Sequence, residues 1–221
     1  AHYSYTSYVP GDEWKKVNLP HDWSVGLPYD SISGEGCVAF LQGGIGWYSK
    51  SFPTTISANQ KCYIVFDGVY NNSEYWINGK KLGYHLSGYA PFYFDVTDYL
   101  NPNEDNRMTV RVDHSHYADS RWYTGSGIYR DVKMIVTDRL HIPVWGTFVT
   151  TPVVTDKYAK VNNQITVRNS YSEPRTAVVE IVYKDNKGNI AAFEVFSIKL
   201  NAGEEKIIDI VSEIKQPDLW S

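Results

Sequence analysis

Three neighbouring side chains, those of Arg121, Trp122 and Tyr123, have the chemistry to contact a ligand. Gly125 and Gly127 follow them, and glycine lets the backbone turn where a side chain would clash. Two flat aromatic faces beside a forked guanidinium suit a sugar ring, or any planar or polyhydroxylated ligand. The same residues also allow a structural interpretation, in which both rings pack under the loop and the arginine forms an ion pair. From these residues alone both interpretations stay open.

The sequence contains no recognisable catalytic set. Gly125-Ser126-Gly127 lacks the Gly-x-Ser-x-Gly spacing of a nucleophile elbow, and no helical pattern follows it. Glycosidases need two carboxylates across one bond, but among 25 acidic residues such a pair is not found by counting. Asn103-Glu104 is the one Asn-Glu dipeptide, and its polar surroundings predict a solvated loop. We therefore assign no catalytic residue.

His114 and His116 are the candidates for metal ligands, with Asp113 and Asp119 close in the chain. Residues two apart on a strand share a face, so both imidazoles can reach one ion. A His-x-His pair without a third firm ligand is a weak signal. We predict no metal site and no cofactor.

Two further motifs have local interpretations. His21, Asp22 and Trp23 lie on a proline-directed turn, either as exposed-turn chemistry or as a buried anchor, and we favour the anchor. The glycine-rich segment 34–46 is not a phosphate loop, because neither a helical pattern nor Lys-Ser/Thr follows it. We interpret it as a flexible loop that leads into the next strand.

Composition bounds the class of protein. The 221 residues are 43% hydrophobic, which is enough for one large or two medium domains. No run of about 18 apolar residues is present, so no membrane span is predicted. The net charge of -4 is small and the basic residues are scattered, which argues against nucleic acid as a partner. The 18 tyrosines and 7 tryptophans suit both strands and carbohydrate contact.

Cysteine usage and the start of the chain leave alternatives. Cys37 and Cys62 form one disulfide or are two buried thiols, and their spacing excludes a zinc module. The chain starts at Ala1 without an apolar signal run. A removed export signal, with a periplasmic or secreted location, stays open.

Short alternating runs predict strands in the first 140 residues, where no stretch has sustained helical periodicity. Asn78-Gly79 is a strong hairpin signal between two of them. The pattern predicts a short strand beginning at Trp14 and further strands at 47–52, 62–66, 75–77, 80–84, 91–96, 108–113 and 132–136. Several short strands with turns between them indicate a β-sandwich or jelly roll.

The pattern changes near residues 141–143, where a second series begins. Its predicted strands are 147–152, 161–167, 177–183, 191–198 and 206–211. Their spacing suits an immunoglobulin-like sandwich, although five strands are fewer than the usual seven. The fold-class prediction is all-β, with a jelly-roll (galactose-binding-like) β-sandwich at 1–142 followed by an incomplete immunoglobulin-like β-sandwich at 143–221.

An ordered set of motifs resembles the N-terminal sugar-binding jelly roll of glycoside hydrolase family 2, the β-galactosidase family. The set is Leu19-Pro20-His21-Asp22-Trp23, Gly46-Trp47-Tyr48, Asp67-Gly68-Val69, Trp76-Ile77-Asn78-Gly79, Gly88-Tyr89-Ala90-Pro91-Phe92, Asp95-Val96-Thr97 and the segment 120–130. The region 146–221 resembles the immunoglobulin-like second domain of that family.

The resemblance implies a fragment of a retaining β-glycosidase that is inactive alone. In the family, the acid/base and nucleophile glutamates come from a following (β/α)8 barrel, and the first domain lends loops to the active-site rim. The loop at 119–127 would be one of these. The implied partners are a carbohydrate substrate and the barrel of the same chain, and a homo-oligomer stays open.

This sequence departs from the family at one position. Well-known β-galactosidases carry an aspartate six residues before the last glycine of the loop motif, where it contacts the sugar and a monovalent cation. Here that position is Arg121. The resemblance therefore does not carry over the cation site or strict galactose specificity, and a guanidinium also suits an acidic, substituted or extended substrate.

Three hypotheses of different classes follow. In a glycoside hydrolase, most simply a β-galactosidase with β-glucuronidase as the alternative, Arg121 contacts substrate while Trp122 and Tyr123 shape the pocket wall. In an autonomous carbohydrate-binding module, Trp122 binds sugar in this chain alone. In a structural module, a barrel docks on an apolar patch, to which Leu219 and Trp220 would belong.

Overall fold

The computed structural model of the chain describes residues 2–5, 8, 10–32, 36–116 and 120–219. Within this part almost all regular structure is β-strand, and the helical elements are short 3₁₀ turns such as Thr97–Tyr99. None of the described helices is long and apolar enough to cross a membrane. The chain divides into two compact units, Ala1–Val136 and Thr137–Ser221. The all-β prediction is confirmed; the domain limits at 142 and 143 stay a prediction.

The first unit is built from two sheets. Its strands are β1 (Gly44–Pro53), β2 (Gln60–Phe66), β3 (Ser73–Ile77), β4 (Lys80–His85), β5 (Phe92–Asp95), β6 (Asp105–His114) and β7 (Val132–Asp138). One sheet has the order β1-β6-β3-β4 and the other β5-β2-β7. Buried residues from β2, β3 and β6 form one core, because alternate side chains of each strand point to the same face. This is the predicted jelly-roll sandwich.

The hairpin between β3 and β4 has the predicted turn. Ile77 pairs with Lys80, which leaves Asn78 and Gly79 as the two turn residues. Both have positive φ, 50° and 77°. This is the left-handed backbone that a two-residue hairpin turn requires, and asparagine and glycine adopt it most readily.

The second unit is a smaller sandwich. Its strands are β8 (Leu140–His141), β9 (Thr147–Val154), β10 (Tyr158–Asn169), β11 (Arg175–Lys184), β12 (Ile190–Leu200) and β13 (Glu205–Lys215). Strand β10 pairs with β13, β8 and β9, and β11 pairs with β12. Ile165, Val167, Val179 and Leu200 form the buried centre between the two sheets. All five predicted strands are present, each of them longer than predicted.

The strand predicted to begin at Trp14 is wrong, because residues 10–23 contain no strand. The indole Nε1 of Trp14 donates to the Tyr8 hydroxyl at 2.8 Å. Val17 and Leu19 line a cavity of about 460 Å³ in the first unit. Val17 and Leu19 are 39% and 43% exposed, so the alternating pattern here reflects neither backbone pairing nor a buried face.

Three other expectations need correction or fall outside the described residues. Gly44 and Gly46 lie inside β1, so the glycine-rich segment is not one loop up to residue 46, and Gly34 is outside the described part. Cys37 is exposed and Cys62 is buried, and no disulfide joins them. Of the expected apolar end, Leu219 is exposed, whereas Trp220 is outside the described part.

Candidate functional site

The predicted ligand-contacting loop connects β6 to β7 and has two parts with opposite burial. Residues 120–123, which we call the tip, reach the surface, whereas residues 124–128, which we call the inner segment, are buried. Asp119, the first residue of the sequence motif, lies outside the described residues. The inner segment therefore fixes where the tip emerges.

The inner segment is held on both sides by backbone hydrogen bonds. The N–H of Gly127 donates to the carbonyl of Tyr70 at 2.8 Å, and the N–H of Tyr70 donates back at 2.9 Å. On the other side the N–H of Trp23 donates to the carbonyl of Ser126 at 3.1 Å. Buried backbone groups need such partners, so this part of the loop is structural.

Only glycine fits at position 127. Its φ is +120°, in the region that side-chain-bearing residues rarely adopt. A Cβ there would lie 2.1 Å from the Tyr48 hydroxyl and 3.0 Å from the carbonyl oxygen of His21. The glycine that sequence analysis interpreted as a turn residue is therefore also a point of close approach between three segments.

The carboxylate of Asp22 ties the tip to the inner segment. Its Oδ1 accepts the backbone N–H of Ser24 at 2.9 Å and that of Ser126 at 3.0 Å. Its Oδ2 accepts the hydroxyl of Tyr123 at 2.5 Å. Burial, and after it the hydrogen bond to Asp22, raises the pKa of Tyr123 above its usual range. The Tyr123 hydroxyl is thus a donor committed to Asp22.

The preferred interpretation of His21, Asp22 and Trp23 as an anchor is confirmed, although the three side chains are half-buried. The Nδ1 of His21 lies 3.0 Å from the Tyr48 hydroxyl. The indole Nε1 of Trp23 donates to the carbonyl of Gly43 at 3.3 Å. The anchor thus joins the loop to β1.

A chain of buried hydroxyls continues beneath the loop. The Ser24 hydroxyl lies 2.6 Å from the carbonyl oxygen of Gln42, which can only accept, so Ser24 donates there. Ser126 then donates to Ser24 across 2.5 Å. The Nδ1 of His114, 2.8 Å from Ser126, must therefore carry a proton and donate. Ser126 is completely buried and occupied as a link, so it is no nucleophile.

The tip presents its ring and its cation outward. Trp122 is 60% exposed, and its Nε1 donates to the Tyr89 hydroxyl at 3.2 Å. Tyr123 is 38% exposed. Arg121 is exposed and forms no salt bridge within the described part of the chain. The Trp122 ring is therefore not packed under the loop, whereas both interpretations of Arg121 stay open.

Sequence reasoning gave no role to Tyr89, which belongs to this site through Trp122. Its signal was present only as part of the Gly-Tyr-Ala-Pro-Phe motif. Asp22 was named, but its bond to Tyr123 spans 101 positions in the chain. No local pattern predicts such a contact.

The candidate metal ligands do not converge. Asp113 forms a salt bridge with Arg111 at 2.7 Å, while His114 donates to Ser126 and His116 is exposed. Among the described residues no group of three His, Cys, Asp or Glu side chains is placed to hold an ion. Glu104 is exposed in a turn, as predicted.

Comparison with known proteins identifies the family to which the chain belongs. Residues 32–138 match the model for the sugar-binding domain of the family 2 glycosyl hydrolases. The chain is 39% identical to the β-galactosidase BoGH2A of Bacteroides ovatus over 95% of its own length and 25% of that protein. It is 34% identical to a putative β-glucuronidase of Formosa agariphila, over 94% of this chain and 19% of that protein.

Solved structures agree. A family 2 glycosyl hydrolase of Bacteroides cellulosilyticus superposes with a TM-score of 0.90 at 34% identity, over 97% of this chain and 29% of that one. A β-glycosidase of Bacteroides vulgatus superposes with a TM-score of 0.83 at 36% identity, over 99% of this chain and 27% of that one. The matches place residues 32–138 in the sugar-binding domain of that family. The chain belongs to glycoside hydrolase family 2, and it spans about a quarter of the length of the relatives it matches.

Replacing Asp22 by asparagine should loosen the tip selectively. An amide keeps one oxygen for the two backbone N–H donors, but its NH₂ group cannot accept the Tyr123 hydroxyl. We expect a loss of about 1–3 kcal/mol in unfolding free energy. Amide order parameters at 120–123 should fall from about 0.85 towards 0.6, measured by ¹⁵N relaxation. Asp12→Asn, at an exposed site, should change neither quantity. An unchanged tip in Asp22→Asn contradicts the anchoring role.

The Tyr48 hydroxyl should make stability depend on alkaline pH. Burial raises the pKa of Tyr48 from 10.0 to about 12. Because the folded state holds this proton more tightly, its contribution is complete below pH 10 and is lost as pH rises through 12. Urea unfolding across this window should show a decline that is shallower in Tyr48→Phe. Tyr29→Phe, at a ring that is 77% exposed, should keep the full decline. Equal slopes in both variants would exclude the effect.

Proposed function

We propose that this chain is the N-terminal, non-catalytic part of a retaining family 2 glycoside hydrolase that removes terminal β-linked sugars, with β-galactosidase as the activity of the complete protein. The observation that carries the proposal is the tip, where Tyr89 holds the exposed indole of Trp122 and Asp22 holds Tyr123, beside the exposed Arg121. The name of the relative from Bacteroides ovatus supports the activity.

The chain's own chemistry in this proposal is binding and orientation. Arg121 donates hydrogen bonds to hydroxyls or to a carboxylate of the substrate, since guanidinium carries donors only. Trp122 and Tyr123 form the pocket wall. Because the Tyr123 hydroxyl proton is donated to Asp22, Tyr123 offers the substrate its ring and an acceptor oxygen but no donor. The catalytic glutamates come from a (β/α)8 barrel elsewhere in the complete protein.

A second candidate activity is β-glucuronidase. A guanidinium without a carboxylate partner among the described residues suits the carboxylate of a glucuronide, which it can bind through two parallel hydrogen bonds. The putative β-glucuronidase of Formosa agariphila shares 34% identity with this chain. The two activities differ in what Arg121 contacts, a carboxylate or hydroxyls of the sugar. Kinetics of Arg121→Ala on substrates of both kinds therefore distinguish the two activities.

In the complete protein, Arg121→Ala should lower kcat/KM by about 10- to 100-fold, because a charge-assisted hydrogen bond contributes about 1.5–3 kcal/mol. The measurement uses p-nitrophenyl β-galactoside and p-nitrophenyl β-glucuronide. A larger loss on the glucuronide assigns the contact to the sugar carboxylate, and a larger loss on the galactoside assigns it to hydroxyls.

Two controls accompany this measurement. Arg121→Lys keeps the charge but loses the fork, and should recover part of the rate. Arg175→Ala removes an exposed arginine of the second unit and should leave kcat/KM unchanged. Unchanged kinetics on both substrates in Arg121→Ala would contradict the role of the tip.

A further inference from the structure

A second polar surface lies on the outer face of the four-stranded sheet. In the register of the sheet, Tyr84 of β4 is opposite Glu74 of β3, and Glu74 is opposite Arg111 of β6. These side chains alternate with core residues, so they point away from the core. Adjacent strands are about 4.8 Å apart, so this row spans about 10 Å. With their neighbours these residues line a groove of about 240 Å³.

The charges of the groove are paired and sum to zero. Lys81 lies 2.5 Å from Glu74, and Arg111 bridges Glu74 at 3.2 Å and Asp113 at 2.7 Å. Two cations and two carboxylates thus form a continuous row across three strands. Ion pairs of this kind add little stability. They do fix donors and acceptors in place without attracting a charged ligand.

An open aromatic face borders this row. Tyr84 is 67% exposed and Leu86 is 64% exposed. The neighbouring Trp76 is already covered, because it stacks on Trp47 at 5.6 Å between centroids and carries Lys81 over its ring at 5.6 Å. Among these outer-face rings, Tyr84 is therefore the one with a face to offer.

The groove lies close along the chain to a residue that contacts the tip. Asn72 lines the groove, and its backbone N–H lies 3.5 Å from the carbonyl oxygen of Leu86. Tyr70, two residues before Asn72, meets the ring of Tyr89 edge-on at 5.5 Å. The Tyr89 hydroxyl accepts the indole N–H of Trp122. Tyr70 is buried, but Tyr89 is 46% exposed and follows Leu86 of the groove by three residues, so their Cα atoms are at most about 11 Å apart.

We propose that this groove binds further units of a neutral carbohydrate chain whose terminal sugar lies at the tip. A flat ring beside fixed donors and acceptors matches a sugar, which has an apolar face and a rim of hydroxyls. The absence of surplus charge matches an uncharged polymer. The inference rests on the proposed function and adds the substrate class, an extended oligo- or polysaccharide instead of a disaccharide.

The test is calorimetry of a catalytically inactive form of the complete protein with β-1,4-linked galacto-oligosaccharides of one to six units. Affinity should rise with length beyond one unit. Tyr84→Ala should weaken binding of the hexamer by about 2- to 10-fold and leave binding of the monomer unchanged, as expected for one lost ring contact. Leu86→Ser should act in the same direction. Tyr29→Ala removes a comparably exposed ring outside the groove and should have no effect.

Three results would overturn the proposal that the groove binds sugar: equal affinity for oligosaccharides of all lengths, no effect of Tyr84→Ala on the affinity for the hexamer, or no binding of any oligosaccharide. Tighter binding of oligogalacturonides than of the neutral chains would also overturn it. In the complete protein Tyr84→Ala should leave kcat/KM on an aryl β-galactoside unchanged, so failure of the groove and failure of the tip are distinguishable. A groove that binds while Arg121→Ala has no kinetic effect would identify an autonomous carbohydrate-binding module.

Discussion

The arrangement of the site depends on one half-buried carboxylate. Asp22 accepts hydrogen bonds from two backbone N–H groups, those of Ser24 and Ser126, and from the hydroxyl of Tyr123. A carboxylate has only acceptor atoms, and these three donors come from two parts of the chain, the turn at Ser24 and the loop that carries Tyr123 and Ser126. Without it, the N–H of Ser126 would be buried without its acceptor, and the tip would lose its link to the segment at 21–23. The position of Tyr123 is therefore set by the segment at 21–23, while Trp122 is held by its bond to Tyr89.

The β-sandwich fixes the inner segment of the loop, which Asp22 alone does not hold. Gly127 lies so close to Tyr48 that no side chain fits, and it pairs with Tyr70 through two backbone bonds. Ile128 enters the core between the two sheets. The inner segment thus behaves as part of the scaffold, while residues 120–123 stay free to meet a ligand. Rigid placement of a few exposed side chains is the usual way in which a loop on a β-sandwich carries function.

The sequence predicted those features that have a local cause. The alternating run that became β6 and the Asn78-Gly79 turn are examples, because period two and positive φ are properties of a few adjacent residues. The segment after Trp14 alternates as well, but it forms no strand and its apolar side chains line an open pocket, and periodicity alone does not distinguish the two cases. The roles of Asp22 and Tyr89 depend on partners far along the chain. Such pairings arise only once the sheets have formed.

The central claim is that the tip meets the sugar. It is tested most directly by a crystal structure of the protein from the complete reading frame with a slowly hydrolysed β-glycoside in its active site. The account predicts the Arg121 guanidinium within hydrogen-bonding distance of the glycoside and the Trp122 ring at the pocket wall, with Tyr123 still bound to Asp22. A glycoside bound with residues 120–123 remote from it, or with Arg121 engaged by a carboxylate of the protein, would contradict the account.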